Sequence, residues 1–169
     1  MSVDLENAIR ELTPGLIRYC TARTKDPSLA EEIAQESLAA LVQRWRRHGA
    51  PDSPQAFVFA IARRRAARAI WGRRLLLPLQ LLSGRRDRAP DPEAAALGRL
   101  DCANLIQALQ RLPALDRDAI LMVAVGDVST IEAARILGIS ESAIKMRTLR
   151  ARRRLRALME DENGRPRKQ

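Results

Sequence analysis

Ser129-Thr-Ile-Glu-Ala-Ala-Arg-Ile-Leu-Gly-Ile-Ser-Glu-Ser-Ala-Ile-Lys-Met-Arg147 reads as two helices meeting at a tight turn. Ser129 followed by Glu132 is a capping box: the hydroxyl takes an early backbone N–H and the carboxylate reaches back to the cap. Ala133, Ala134, Ile136 and Leu137 supply the apolar side of the first helix, and Gly138 allows the positive φ that a tight turn needs. Ile139 then enters the core and Ser140 caps the next helix. Two helices that cross closely require a small residue at the crossing and glycine in the turn, and the four-residue step from Ala134 to Gly138 provides both. Short helical hairpins in ordinary bundles share parts of this pattern. What sets this one apart is the following helix, where Lys145, Arg147, Arg150, Arg152, Arg153, Arg154 and Arg156 give seven cations against Glu141. Its inward stripe is Ile144, Ala151, Leu155 and Leu158, which leaves Ser142, Lys145, Met146 and Leu149 on the outer face of its first turns. Its free N–H groups and dipole favour phosphate near the start. The expected geometry is a helix in the major groove, positioned by phosphate contacts and reading base edges with a few N-terminal side chains.

The whole chain shares that basic character. It has 169 residues, 30 Lys and Arg against 20 Asp and Glu, a formal charge of +10 and a pI near 11.1. At about 100 to 200 residues per domain this is one ordinary domain or two small ones. Aromatic residues are two Phe, two Trp and one Tyr in a chain rich in Ala, Leu and Arg, so an all-helical fold is expected. The apolar runs Ala119 to Val125 and Leu75 to Leu82 fall well short of the roughly 20 residues that span a bilayer. Acidic residues at the N-terminus, where a signal peptide is basic, suggest a cytoplasmic protein. Cys20 and Cys102 are far apart and surrounded by helix-period apolar residues, so neither redox nor zinc chemistry is encoded. His48 has no nucleophile or metal partner in reach of its pattern, and no catalytic constellation, metal site or cofactor motif is expected.

Outward from the hairpin, the pattern predicts two helical blocks on a tether. Asp4 to Lys25 is one bent helix or two short ones, broken or kinked at Pro14-Gly15. Ser28-Leu-Ala-Glu31 is a capping box opening a second helix, whose stripe of Ala30, Ile33, Ala34, Leu38, Leu41, Val42 and Trp45 ends near Arg47. After the loop His48 to Ser53, either Asp52 or Ser53 caps a third helix from Pro54 to about Arg74. The segment from Leu75 to Pro92 reads as a mobile linker. Four helical pieces follow: Glu93 to Arg111, Ala114 to about Val125, Thr130 to Leu137, and Glu141 to about Asp161. The boundaries are thus residues 1–74, a linker at 75–92, a second domain at 93–161, and a disordered tail at 162–169.

Three stretches together resemble the extracytoplasmic-function (ECF) sigma factors, small bacterial transcription initiation factors. They are Ala30-Glu-Glu-Ile-Ala-Gln-Glu-Ser-Leu38; Ala56-Phe-Val-Phe-Ala-Ile-Ala-Arg63; and Leu112-Pro-Ala-Leu-Asp-Arg117 through Gly126, Ser129, Glu132, Ala134, Leu137-Gly-Ile-Ser140, Ile144-Lys145, Arg147 and Arg150-Ala-Arg152. The resemblance implies a region 2 helical bundle and a region 4 helix-turn-helix domain joined by a flexible linker. It also implies an alternative sigma that brings core RNA polymerase to specific promoters and performs no catalysis. The helix from Ser28 would hold the β′ clamp helices of the polymerase, with Glu31, Glu32, Gln35 and Glu36 at the matching positions. An acidic helix start is also what the macrodipole alone favours. Phe57, Phe59, Arg63, Arg64, Arg65 and Arg68 would open the −10 element and hold its unstacked strand; either Phe also fits an ordinary core. Ser142, Lys145, Met146, Arg147 and Arg150 would contact the −35 element. Thr148-Leu149 inverts the family's usual apolar-then-polar order, and a slight rotation of the helix is expected from it. The patch Leu75 to Leu82 would thread near the active-site cleft of the polymerase or pack against a regulator.

The implied partners are core RNA polymerase, promoter DNA and an anti-sigma factor. Two other readings remain at this point: a sigma-like decoy that binds an anti-sigma factor without meeting DNA, and a stand-alone helix-turn-helix regulator. A recombinase using the hairpin for targeting lacks a nucleophile cluster.

Overall fold

The computed structural model describes residues 3–80 and 104–163, and among them every regular element is helical. The first block is a three-helix bundle of α1 (Val3–Thr24), α2 (Pro27–His48) and α3 (Pro54–Gln80). Helix α1 is continuous, with Pro14 inside it, so the two-helix alternative is not what the chain adopts. Its acidic first turn and Arg23 in the last turn oppose the helix dipole as expected of a stable helix.

Helix α2 does not begin at Ser28. Asp26 is the cap, its Oδ1 accepting from the Leu29 N–H at 3.0 Å, and Pro27 takes the first helical position. Proline there loses nothing, because the first-turn N–H groups have no intrahelical acceptor, and its fixed φ sets up the turn. This places the start one residue before the predicted capping box. Gly49, with φ 75°, ends α2, and its N–H donates to the Trp45 carbonyl at 3.0 Å. Ser53 caps α3 through the Ala56 N–H, at 3.0 Å, which resolves the choice between Asp52 and Ser53. Helix α3 runs past Arg74 and through Pro78 to Gln80, because the leucines there are strong helix formers; the rest of the predicted linker lies outside the described residues.

The second block comprises helical residues 104–110 (α4), α5 (Ala114–Ile120), α6 (Thr130–Leu137) and α7 (Glu141–Asn163). The earlier part of the expected helix from Glu93, and the tail from residue 164, fall outside the described residues. Instead of α5 running on to Val125, residues Leu121–Val125 widen into a π turn, closed by the Gly126 N–H on the Leu121 carbonyl at 2.9 Å. The hairpin keeps half of its predicted capping box: Ser129 accepts from the Glu132 N–H, while the Glu132 carboxylate turns to Arg135 at 3.4 Å instead of reaching back to the cap, and Gly138 sits at φ 67°, ψ 35° as the turn requires.

The two blocks pack directly on each other, and their buried residues form one continuous apolar cluster. The seam runs where α1 and α3 meet the π turn and α6. Gly15 on α1 and Gly126 after the π turn touch backbone to backbone: a Cβ at position 15 would lie 2.5 Å from the Gly126 oxygen. A Cβ at Gly126 would lie 2.7 Å from the Phe59 ring. Phe59 is fully enclosed and stacks edge-on against Tyr19, with ring centroids 5.4 Å apart.

Polar contacts cross the same seam. Asp118, buried on α5, takes Arg63 Nε at 2.9 Å on one carboxylate oxygen and lies 3.0 Å from Arg23 Nε on the other. Arg23 is itself only 7% exposed, so each of these charges is compensated inside the protein. Arg18 pairs with Asp127 and donates to the Val125 carbonyl at 3.0 Å, while Gln55 reaches the Asp127 carbonyl at 3.3 Å.

Candidate nucleic-acid interface

Helix α7 leaves the second block with one face sunk and one face bare. Ile144, Ala151 and Leu155 are buried and Leu158 is half-buried, which is the predicted inward stripe. Ser140 starts the helix, its Oγ accepting from the Ala143 N–H at 3.2 Å and lying 3.0 Å from the Ser142 hydroxyl. Beyond that cap, Ser142, Lys145, Met146, Leu149, Arg150, Arg152, Arg153, Arg154 and Arg156 are all exposed. A cationic face of α7 is therefore open to solvent.

The five residues expected to meet the −35 element are not equivalent. Ser142, Met146 and Arg150 are exposed. Lys145 leans back one turn onto Glu141, Nζ to Oε1 at 2.7 Å, and Thr130 donates to the same oxygen at 2.9 Å. The Lys145 hydrogen bond first, and the Thr130 one second, hold the Glu141 carboxyl below its ordinary range. Arg147 turns inward instead: its Nη1 lies 2.7 Å from the buried Asp116, so it fastens α7 to α5. Leu149 stays on the outer face, where the apolar stripe of α7 leaves it. Thr148 takes the inward position at 6% exposure and Leu149 stands out at 42%.

On the first block, α3 presents Arg64, Arg65 and Arg68 to solvent, and with Ile61 they border an open groove of about 320 Å³. Arg65 also pairs with Glu36 of α2. The other three expected −10 residues face the seam. Phe59 is in the core, Arg63 is held by Asp118, and Phe57 is half-buried, lining with Ser53, Ala60, Arg135 and Ile136 a groove of about 390 Å³ between the two blocks. Glu31, Glu32, Gln35 and Glu36 are all exposed along one side of α2, opposite its buried Ala30, Ile33, Ala34 and Leu41.

Several residues that shape these surfaces carry little signal in the sequence. Asp116 and Asp118 are 4% and 2% exposed, and they organise Arg147, Arg23 and Arg63. Their one visible trait is a pair of carboxylates on a short helix that opens an apolar run. Trp71, 74% exposed near Arg64, falls on no stripe or motif that would single it out.

Among the described residues no helix is long and apolar enough to cross a membrane. The Sigma-70 region 2 family matches residues 8–74, and the Sigma-70, region 4 family matches residues 102–155. The RNA polymerase sigma factor CnrH of Cupriavidus metallidurans is 33% identical over 100 residues, 59% of this chain and 52% of that relative, so the chain matches about half of its length. Coverage is much fuller with the ECF RNA polymerase sigma factor ShbA of Streptomyces griseus, 35% identical over 159 residues, 87% of this chain and 83% of ShbA. In fold, the sigma factor RpoE co-crystallised with the anti-sigma factor NepR from Bartonella quintana superposes with a TM-score of 0.68 at 24% identity, covering 94% of this chain and 98% of RpoE. With two sigma regions in order and a relative 35% identical that is matched over 83% of its length, the chain belongs to the ECF sigma factors, which direct RNA polymerase to chosen promoters.

Proposed function

We propose that the two blocks, with boundaries at residues 1–74 and 93–161, divide the work of initiation. The exposed side of α2 engages the clamp helices of core polymerase through Glu31, Glu32, Gln35 and Glu36. The α3 face and the loop before it separate the −10 duplex. Arg64, Arg65 and Arg68 hold the exposed backbone, and Phe57 and Phe59 border the base pocket once the second block moves away. Helix α7 reads the −35 element with Ser142, Lys145, Met146 and Arg150, and Arg147 aims that helix by its grip on Asp116. The protein acts in the cytoplasm as an initiation factor without catalysis of its own.

The observation that carries this reading is the split character of α7, whose apolar stripe is buried while its cations other than Arg147 stay exposed. A second partner follows from the seam, because Phe59 and Arg63 are covered in the closed arrangement. An anti-sigma protein, of the kind that NepR is for the Bartonella RpoE, would hold this chain shut by gripping both blocks at once.

Run-off transcription with purified core polymerase on a promoter selected from a randomised library tests the reading. Promoter-dependent product is expected. Arg150→Ala should make the salt dependence of promoter binding shallower by about one counterion, and Glu32→Ala should weaken polymerase binding. Absence of promoter-dependent product would reject the proposal in favour of a decoy.

A further inference from the structure

Position 148–149 of α7 is arranged against the ordinary preferences of a helix in water. Thr148 is buried at 6% exposure, and its hydroxyl meets no hydrogen-bond partner among the described residues. The next residue, Leu149, is left 42% exposed. Exchanging the two would put a methyl-rich side chain inside and a hydroxyl in solvent, removing an unsatisfied buried polar group and an exposed apolar one together. A sequence that keeps the less stable order points to a use for Leu149 outside the fold.

The surroundings of Leu149 say what that use is. Its neighbours three and four positions away along the helix are Lys145, Met146, Arg152 and Arg153, all exposed. The apolar spot is thus two side chains wide, Leu149 and Met146 (54% exposed), and ringed by cations. Patches that dock proteins run to several hundred Å², and this one is far smaller. It has the size of a base-edge contact and the charge of a phosphate contact. The C5 methyl of thymine is the one apolar group that a base pair shows in the major groove, and apolar side chains read it without hydrogen bonds.

Building on the proposed −35 reading by α7, we propose that Leu149, with Met146 beside it, is a specificity-determining residue that recognises a thymine methyl in the upstream promoter element. Lys145, Arg152 and Arg153 supply the phosphate contacts that press this apolar pair into the groove. The order Thr148-Leu149 is then a trade of helix stability for base discrimination.

The test uses holoenzyme assembled from core polymerase and the full chain, on a promoter selected from a library randomised upstream. Selection should return an A·T pair at a fixed place in the −35 element. Replacing its thymine by deoxyuridine removes one methyl and leaves pairing intact, and should weaken wild-type binding roughly three- to fivefold, the worth of one buried methyl group. Leu149→Thr should bind thymine and uracil duplexes equally, and Leu149→Met should restore the difference. The exchange Thr148→Leu with Leu149→Thr should melt higher than wild type while losing the methyl effect, which separates recognition from folding. Overturning results are a selected element without an A·T pair, or uracil duplexes bound as well as thymine ones while other −35 substitutions still weaken binding. Weakened capture of an anti-sigma helix by Leu149→Thr with uracil tolerated would assign the patch to protein instead. If no −35 substitution mattered at all, the groove-reading role of α7 would itself fail.

Discussion

Cys20 is enclosed on α1 next to Tyr19, and burial pushes its thiol up to about 12 from an ordinary value of 9.0. Desolvation raises the Tyr19 phenol as well, with the Asp118 carboxylate adding to it. Both groups are neutral in the fold. Between about pH 9 and 12 the unfolded chain releases a proton from Cys20 that the folded chain retains. The stability tied to this thiol is therefore fully present below pH 9 and drains away as pH rises toward 12. In a Cys102→Ser background, Cys20→Ala should flatten the alkaline fall of the melting temperature between about pH 8 and 11, whatever it does at neutral pH. An unchanged slope by calorimetry would exclude Cys20 from the alkaline transition. The burial of Cys20 is legible from its apolar neighbours at helical spacing. The inward turn of Arg147 is not, because its partner Asp116 lies 31 residues away and only the packing of α7 on α5 brings them together.

Helix boundaries turn on competition between adjacent caps. Both Asp26-Pro27 and Ser28-Leu-Ala-Glu31 are start signals, and the chain uses the first, because an aspartate cap followed by proline fixes the entry before Ser28 is reached. Asp26→Ala should cost about 1 kcal/mol in chemical unfolding, and Ser28→Ala only a few tenths, as expected for a lost cap against a first-turn surface change. Equal losses would return the cap to Ser28. The interior stripes of α2 and α7 could be read directly from periodicity, since burial there follows the 3.6-residue repeat. Two extents could not. Widening into a π turn before Gly126 depends on what the helix end packs against, and the run of α3 through Pro78 sets helix-forming leucines against a proline that ordinarily ends a helix.

Nothing in composition or pattern announces that the two blocks meet. The seam is built from single residues contributed by five elements, and its charges, Arg23, Arg63 and Asp118, look like surface residues in the sequence. Asp118 is the centre of it. Asp118→Asn would leave Arg23 buried without a counter-charge, which separation of the blocks relieves by hydrating the guanidinium. The variant should have a larger radius of gyration by small-angle X-ray scattering than wild type, with helix content by circular dichroism unchanged. An unaltered radius would mean that apolar contact at Phe59 and Gly126 suffices to hold the blocks together.

The glycine pair at the seam sets two interests against each other. In a lone bundle, alanine at position 15 would strengthen α1 by roughly 1 kcal/mol, since glycine is among the poorest helix formers. Here that added methyl would become a wedge driven into the opposing carbonyl. Position 15 is thus where the chain gives up rigidity of one half so that both halves can lie flush. Filling it would yield a sturdier bundle inside a molecule propped permanently ajar.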